Sequence, residues 1–324
     1  MVYSQYKHYI YPLIVTIALS LIYNQYKSYE YDDEHMQNYK IVRKYLLNDS
    51  PLAKSKKPII WIHMVYEVNA RWWPSFGSRT TDDLNQPYLY LTLKSIVDKC
   101  GDDLNVCLID DESFANILPG WNVDLTLVAD PIRSKIRQLA LAKVLYNYGG
   151  FLVPNSFICF QNLAPLYQNL SGGQRMFVGE GIAHSGVSQH VQFFPETKFM
   201  GCVKGCMTML DYINYLELLV SKDFTDESQF TGAYGRWCYE KINKGEMNMI
   251  PADILGMREA NGKPVSLEML MSNNFLNLSG KVQGLYIPAD EILKRTAYQW
   301  FARLSAKQAM ASDTTIGKYL LILR

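Results

Sequence analysis

The sequence predicts an α/β fold: an open, mostly parallel sheet with helices on both faces. Three observations carry this. Pro58-Ile-Ile-Trp-Ile-His-Met-Val and Asn105-Val-Cys-Leu-Ile begin as continuous apolar runs, as strands covered on both faces of a parallel sheet do. Between them Tyr88 to Cys100 has helical spacing, and strand, helix, strand in that order is a βαβ unit whose strands lie parallel. A second helix closes in Gly149-Gly150 and runs directly into a third apolar run, Phe151-Leu-Val.

In chain order, Tyr9 to Tyr23 carries no charge and is a membrane candidate. A bilayer span takes roughly 20 apolar residues, so the run is short, with flanking tyrosines suited to the interface. It also fits the apolar core of a cleaved signal, with Ala18-Leu-Ser20 as the small-residue site, or a buried helix opened by Pro12. The expected organisation is a membrane anchor or signal segment over 1–25 and a polar stalk over 26–56. The main domain follows over 57–289 and a helical tail over 290–324. An uncleaved anchor makes this a single-pass type II membrane protein with its bulk in a secretory lumen.

Within the main domain, Leu89, Leu93, Ile96 and Val97 share one face of the first helix, which Gly101 stops. The second helix, Ile132 to Asn147, carries Ile136, Leu139, Ala140, Lys143 and Val144 at spacings of three and four. Strands are expected at Arg175-Met-Phe-Val-Gly and Gln192-Phe-Phe, and helices at Gly201 to Val220 and Ser228 to Lys244.

Composition narrows the function classes. The 324 residues are 48% hydrophobic with a net charge of +1, enough apolar matter for a large core and no field to draw nucleic acid. Six cysteines fit disulfides in a lumen without requiring them, and Cys202 and Cys206 lack the second pair a zinc finger needs. The sequons at Asn48, Asn169 and Asn277 are glycosylation acceptors only in that compartment. No Gly-x-Ser-x-Gly elbow, Gly-x-x-x-x-Gly-Lys phosphate loop or paired-histidine zinc motif is present.

Open α/β sheets bind ligands beyond the carboxyl ends of their strands. That rule selects the loops after Met64, at Asp110-Asp111 and at Val153 to Ser156. Lys57-Pro-Ile-Ile-Trp-Ile-His, the strand ending in Asp110-Asp111, the helix end Leu145-Tyr-Asn-Tyr-Gly-Gly-Phe-Leu and Phe199-Met-Gly follow one another in a telling order. In that order they resemble the DXD sugar-binding-region and capsular-polysaccharide-synthesis glycosyltransferases, over residues 57 to 235. The resemblance implies a GT-A-like fold and a nucleotide-sugar donor, UDP- or GDP-linked, with a glycan or glycoprotein acceptor.

It also implies two aspartates after the Tyr-Gly-Gly strand that hold a divalent ion against the leaving diphosphate. By register they fall on Pro154 and Ser156, neither of them a carboxylate. An acid-x-x-Arg pair of the family aligns with Gln138 and Leu141, and a late histidine with Gln299. No metal or other cofactor is therefore expected, and the chain is either a metal-independent transferase or an inactive glycan-binding or scaffold module.

The donor-side candidates are His63, Met64, Arg133, Arg137, Gln138, Gly149, Gly150, Pro154, Asn155 and Ser156. Arg133, Lys135 and Arg137 stand either as cations for a diphosphate or as a solvated helix start, and Arg71 and Arg79 extend the first option. His63 also reads as a hydrogen-bonded core residue. The catalytic candidates are Asp110, Asp111, Glu180 and His184, with Glu196 near the acceptor side. For the Asp pair, capping the next helix is the alternative. Trp72, Trp73 and Phe76 can stack on a sugar or base, or pack beside Pro74.

Overall fold

The computed structural model describes residues 57–65, 86–183, 191–221 and 227–323. The membrane candidate, the stalk, Arg71, Arg79, Trp72, Trp73, Phe76 and His184 lie outside the described residues. Among the described residues no helix is long and apolar enough to cross a membrane.

The predicted βαβ unit is present. Strand β1 (Ile59–His63), helix α1 (Leu89–Cys100) and strand β2 (Asn105–Ile109) follow in order, and five parallel rungs join the strands, from Ile59↔Asn105 to His63↔Ile109. Helix α2 (Ser113–Ile117) and the long helix α3 (Ile132–Tyr148) lead to β3 (Gly150–Leu152), which pairs parallel with the other side of β1. After β4 (Phe157–Cys159) and α4 (Ala164–Ser171) come β5 (Met176–Ile182), β6 (Phe193–Cys202), α5 (Met207–Ser221), α6 (Glu227–Asn243) and β7 (Met247–Ile250). Six strands form one sheet in the order β2-β1-β3-β6-β5-β7, mostly parallel, with β6 antiparallel to both neighbours.

Two details depart from the expected patterning. Helix α1 turns Thr92, Ser95, Ile96 and Cys100 inward and leaves Val97 half exposed. The polar residues tolerate burial because their hydroxyls are satisfied: Thr92 donates to the Leu89 and Asn155 carbonyls, and Ser95 donates to the Thr92 carbonyl and accepts from the Cys159 N–H. Gly201 and Cys202 are not the start of a helix. They close β6, paired with Phe151 and Gly150, and α5 begins at Met207.

Gly149-Gly150 is required by the fold itself. Gly149 sits at φ 72° and its carbonyl accepts from Trp61 Nε1 at 2.9 Å. Gly150 has φ 113°, and a Cβ there would stand 2.3 Å from the Ile59 carbonyl oxygen. The backbone of the α3–β3 junction thus lies directly on β1.

Two apolar clusters fill the unit spanning Lys54–Arg324. One includes Ile60, Ile62, Ile96, Phe151, Phe177, Phe199 and Ile250 on the sheet, with Phe151 and Phe177 edge to face at 5.1 Å. The other joins Tyr88 and Ile158 to the C-terminal elements α7 (Leu267–Met271), β8 (Gly284–Tyr286), α8 (Ala289–Lys294), α9 (Gln299–Ala302), α10 (Ala306–Met310) and α11 (Thr315–Ile322). The helical tail thereby shares a core with β4, which pairs antiparallel with β8 from Phe157↔Tyr286 to Cys159↔Gly284. All six cysteines are free and buried, and the Cys100 and Cys159 sulfurs lie 3.8 Å apart.

Candidate functional site

The carboxyl ends of β1, β2 and β3 lie side by side, because these strands are parallel neighbours. At the β1 and β2 ends, three sequence-selected residues converge. Asp111 Oδ1 receives the His63 Nε2 at 2.9 Å and the Arg137 Nε at 2.7 Å, while Oδ2 receives Arg137 Nη2 at 2.6 Å. The Arg–carboxylate contact is bidentate, the geometry guanidinium favours. Burial opposes ionisation of Asp111, but hydrogen bonds from Arg137 and His63 outweigh it and hold the carboxyl well below its usual range. Burial lowers the pKa of His63 against the pull of Asp111, so the neutral ring donates through Nε2. The His63 ring also stacks on Phe114, with centroids 5.6 Å apart.

Asp110 is the helix-capping alternative: its Oδ1 accepts from Ser113 N–H at 2.8 Å and Ser113 Oγ at 2.6 Å. Met64 extends the ladder, donating its N–H to the Ile109 carbonyl at 2.8 Å. The other basic residues of α3 also meet protein groups. Arg133 pairs with Asp130 at 3.0 Å, and Lys135 lies 5.1 Å above the Tyr234 ring. Arg133 Nε is a buried nitrogen without a hydrogen-bond partner. Gln138 faces the helix–sheet interior, where its Nε2 lies 3.3 Å from the Tyr212 hydroxyl.

At the β3 end, Pro154 to Phe157 make a tight turn closed by Phe157 N–H to the Pro154 carbonyl at 3.2 Å. It is tied on two sides, since the Asn155 carbonyl accepts from Thr92 and the Ser156 carbonyl from Ile287 N–H at 3.0 Å. These residues do not fit a divalent cation. Pro154 has no side-chain ligand, Ser156 is 3% exposed and offers one neutral hydroxyl, and hard cations take several oxygens, carboxylates above all. Among the described residues no three His, Cys, Asp or Glu side chains gather in metal-binding proximity.

A cavity of about 260 Å³ is walled in part by the segment that bonds to this turn, although no residue of the turn lines it. Tyr286 and Pro288, which flank the Ile287 bonded to Ser156, form part of its wall. Lys198 and Glu196 of β6 form another part, their side chains 2.7 Å apart. The last rung between β3 and β6 is Leu152↔Met200, and two residues beyond it on each strand stand Pro154 and Lys198. Lys198 reaches the cavity through a bulge. Between the rungs Val178↔Met200 and Gly179↔Glu196, β5 advances one residue and β6 four. Glu196 crosses over Gly181, where a Cβ would lie 2.2 Å from its Oε2.

The Lys198 ammonium lies 5.3 Å from the centre of the Tyr286 ring. Burial lowers the Lys198 pKa, Tyr286 and Glu196 raise it more, and the group stays charged. Burial pushes the Tyr286 phenol up to about 12. Arg295, pairing at 2.6 Å with both Glu268 and Glu291, completes the polar wall. Of these residues sequence reading selects only Glu196. A lysine directly before the buried Phe199-Met200 was the available signal for Lys198. Glu180 is held elsewhere, accepting from Ala252 N–H and Arg258 Nη2, each at 2.9 Å.

The chain matches no model of a known protein family and no curated protein.

Proposed function

We propose that this chain is a GT-A-like glycosyltransferase that moves a sugar from a UDP- or GDP-linked donor to a glycan or glycoprotein acceptor without a divalent ion. The observation that carries the reading is the parallel β2-β1-β3 edge, which the Tyr-Gly-Gly junction joins directly to α3. Its carboxyl end carries the turn at which the resembling enzymes bind their donor. The N-terminal segment would anchor the enzyme in a membrane with this domain in a secretory lumen.

The test is calorimetry with UDP- and GDP-linked sugars in excess EDTA. At least one donor is expected to bind, with affinity unchanged by adding Mn²⁺; no binding by any common donor would overturn the proposal. A second reading, an inactive glycan-binding or scaffold module, is favoured by one observation. Asp110, Asp111 and Glu180 each have their carboxylates engaged by protein groups. Donor binding without turnover would select it.

A further inference from the structure

We infer that the cavity between β6 and the Tyr286–Arg295 segment is a subsite for one neutral sugar unit, recognised by the Glu196–Lys198 pair, Tyr286 and Arg295. The inference rests on the proposed function only for its place in a reaction; the binding argument is independent. First, size limits the ligand. At about 260 Å³ the cavity falls below the roughly 300–1,000 Å³ of sites for drug-sized molecules, which suits a single ring rather than a nucleotide.

Second, charge selects against an anion. Three carboxylates, Glu196, Glu268 and Glu291, face two cations, Lys198 and Arg295, and each cation is already paired with a carboxylate. A phosphate would have to displace those partners and meet their charge. A polyol would not, because carboxylate oxygens accept from hydroxyls while the ammonium and guanidinium donate to them. Third, the wall combines these groups with apolar surface from Met257, Val265 and Leu267, as sites that fix a ligand's orientation do. The bulge in β6 and the bare Cα of Gly181 place Lys198 and Glu196 there, so the arrangement is built into the sheet.

The test is calorimetry on the full chain with methyl α-glycosides of glucose, galactose and mannose, with pyrophosphate as the anionic probe and UDP and GDP run on the same sample. Saturable binding of at least one glycoside is expected, weakened about tenfold or more in Lys198→Met, since hydrogen bonds to charged groups carry that much. Glu268→Gln, at an exposed side chain, provides a second variant should Lys198→Met fold poorly, with a smaller loss expected. No glycoside binding, displacement of the glycoside by pyrophosphate, or glycoside affinity unchanged in both variants would overturn the inference. The two failures separate cleanly. UDP or GDP binding without glycoside binding sinks the subsite alone, whereas glycoside binding without either nucleotide leaves the subsite standing and sinks the transferase.

Discussion

Replacing Gly150 with alanine is expected to destabilise the protein by about 2–5 kcal/mol, the sum expected for an unfavourable φ and an overpacked contact. Gly150 sits at φ 113°, and the added Cβ would lie 2.3 Å from the Ile59 carbonyl oxygen and 3.0 Å from Trp61 Nε1. Neither neighbour yields easily. The first is backbone at the opening rung of a parallel ladder, and the second is held by its bond to the Gly149 carbonyl. Restricting the unfolded chain returns only about 0.4–1 kcal/mol. Urea denaturation should show a lower midpoint at unchanged slope, the signature of lost stability rather than altered compactness. A midpoint equal to wild type would mean that the junction does not lie on β1.

Asp111→Ala is expected to cost about 2 kcal/mol near neutral pH, less than the 3–5 typical of a fully buried pair because water reaches these side chains. Arg137 and His63 would both lose the bonds they make to Asp111. The pH dependence gives a sharper readout. The folded state holds His63 below its ordinary pKa, so the unfolded chain takes up the proton first and stability falls as pH drops below about 6.5. Asp111 is also depressed in the folded state. Its contribution is present above about pH 3.9 and is lost as pH falls further. Stability measured from pH 7 to 3 should therefore decline in two stages in the wild type. The variant should keep the first stage and lose much of the second; an identical acid limb in both proteins would show that the triad does not couple to folding.

The parts of the fold that were legible in the sequence were those set by local chemistry. Asn105–Ile109 is a strand at the predicted residues because the apolar run Val106–Ile109 suits an extended segment, although at the sheet edge only Cys107 and Ile109 are buried, and α3 ends where Gly149 can adopt its positive φ. The inward face of α1 was not legible. Hydrophobicity favoured Val97, but partners on β4 and the β3 turn satisfy Ser95 and Thr92, and those partners lie about 60 residues away in sequence. The same limit hid the β4–β8 pair, whose residues come from 157–159 and 284–286 and carry no shared local pattern.

The candidate site divides in the same way. The convergence of His63, Asp111 and Arg137 follows from parallel strands ending side by side, which the βαβ pattern implies. The cavity does not follow from any one segment. Lys198 and Glu196 come from a bulged strand, Tyr286 from the second sheet, and Glu291 and Arg295 from α8 and the residue after it. Only the folded chain brings them together. Asp110 illustrates a local alternative that prevailed, since a serine three residues on gave its carboxylate a capping role.

The most direct measurement of the central claim is a crystal structure of the chain soaked with UDP and with GDP in EDTA. Density for a diphosphate beside the Pro154–Ser156 turn, met by protein cations with no metal ion between, is the result expected of a metal-independent transferase. A nucleotide that binds there only when Mn²⁺ or Mg²⁺ is supplied, or that avoids this end of the sheet altogether, would contradict it.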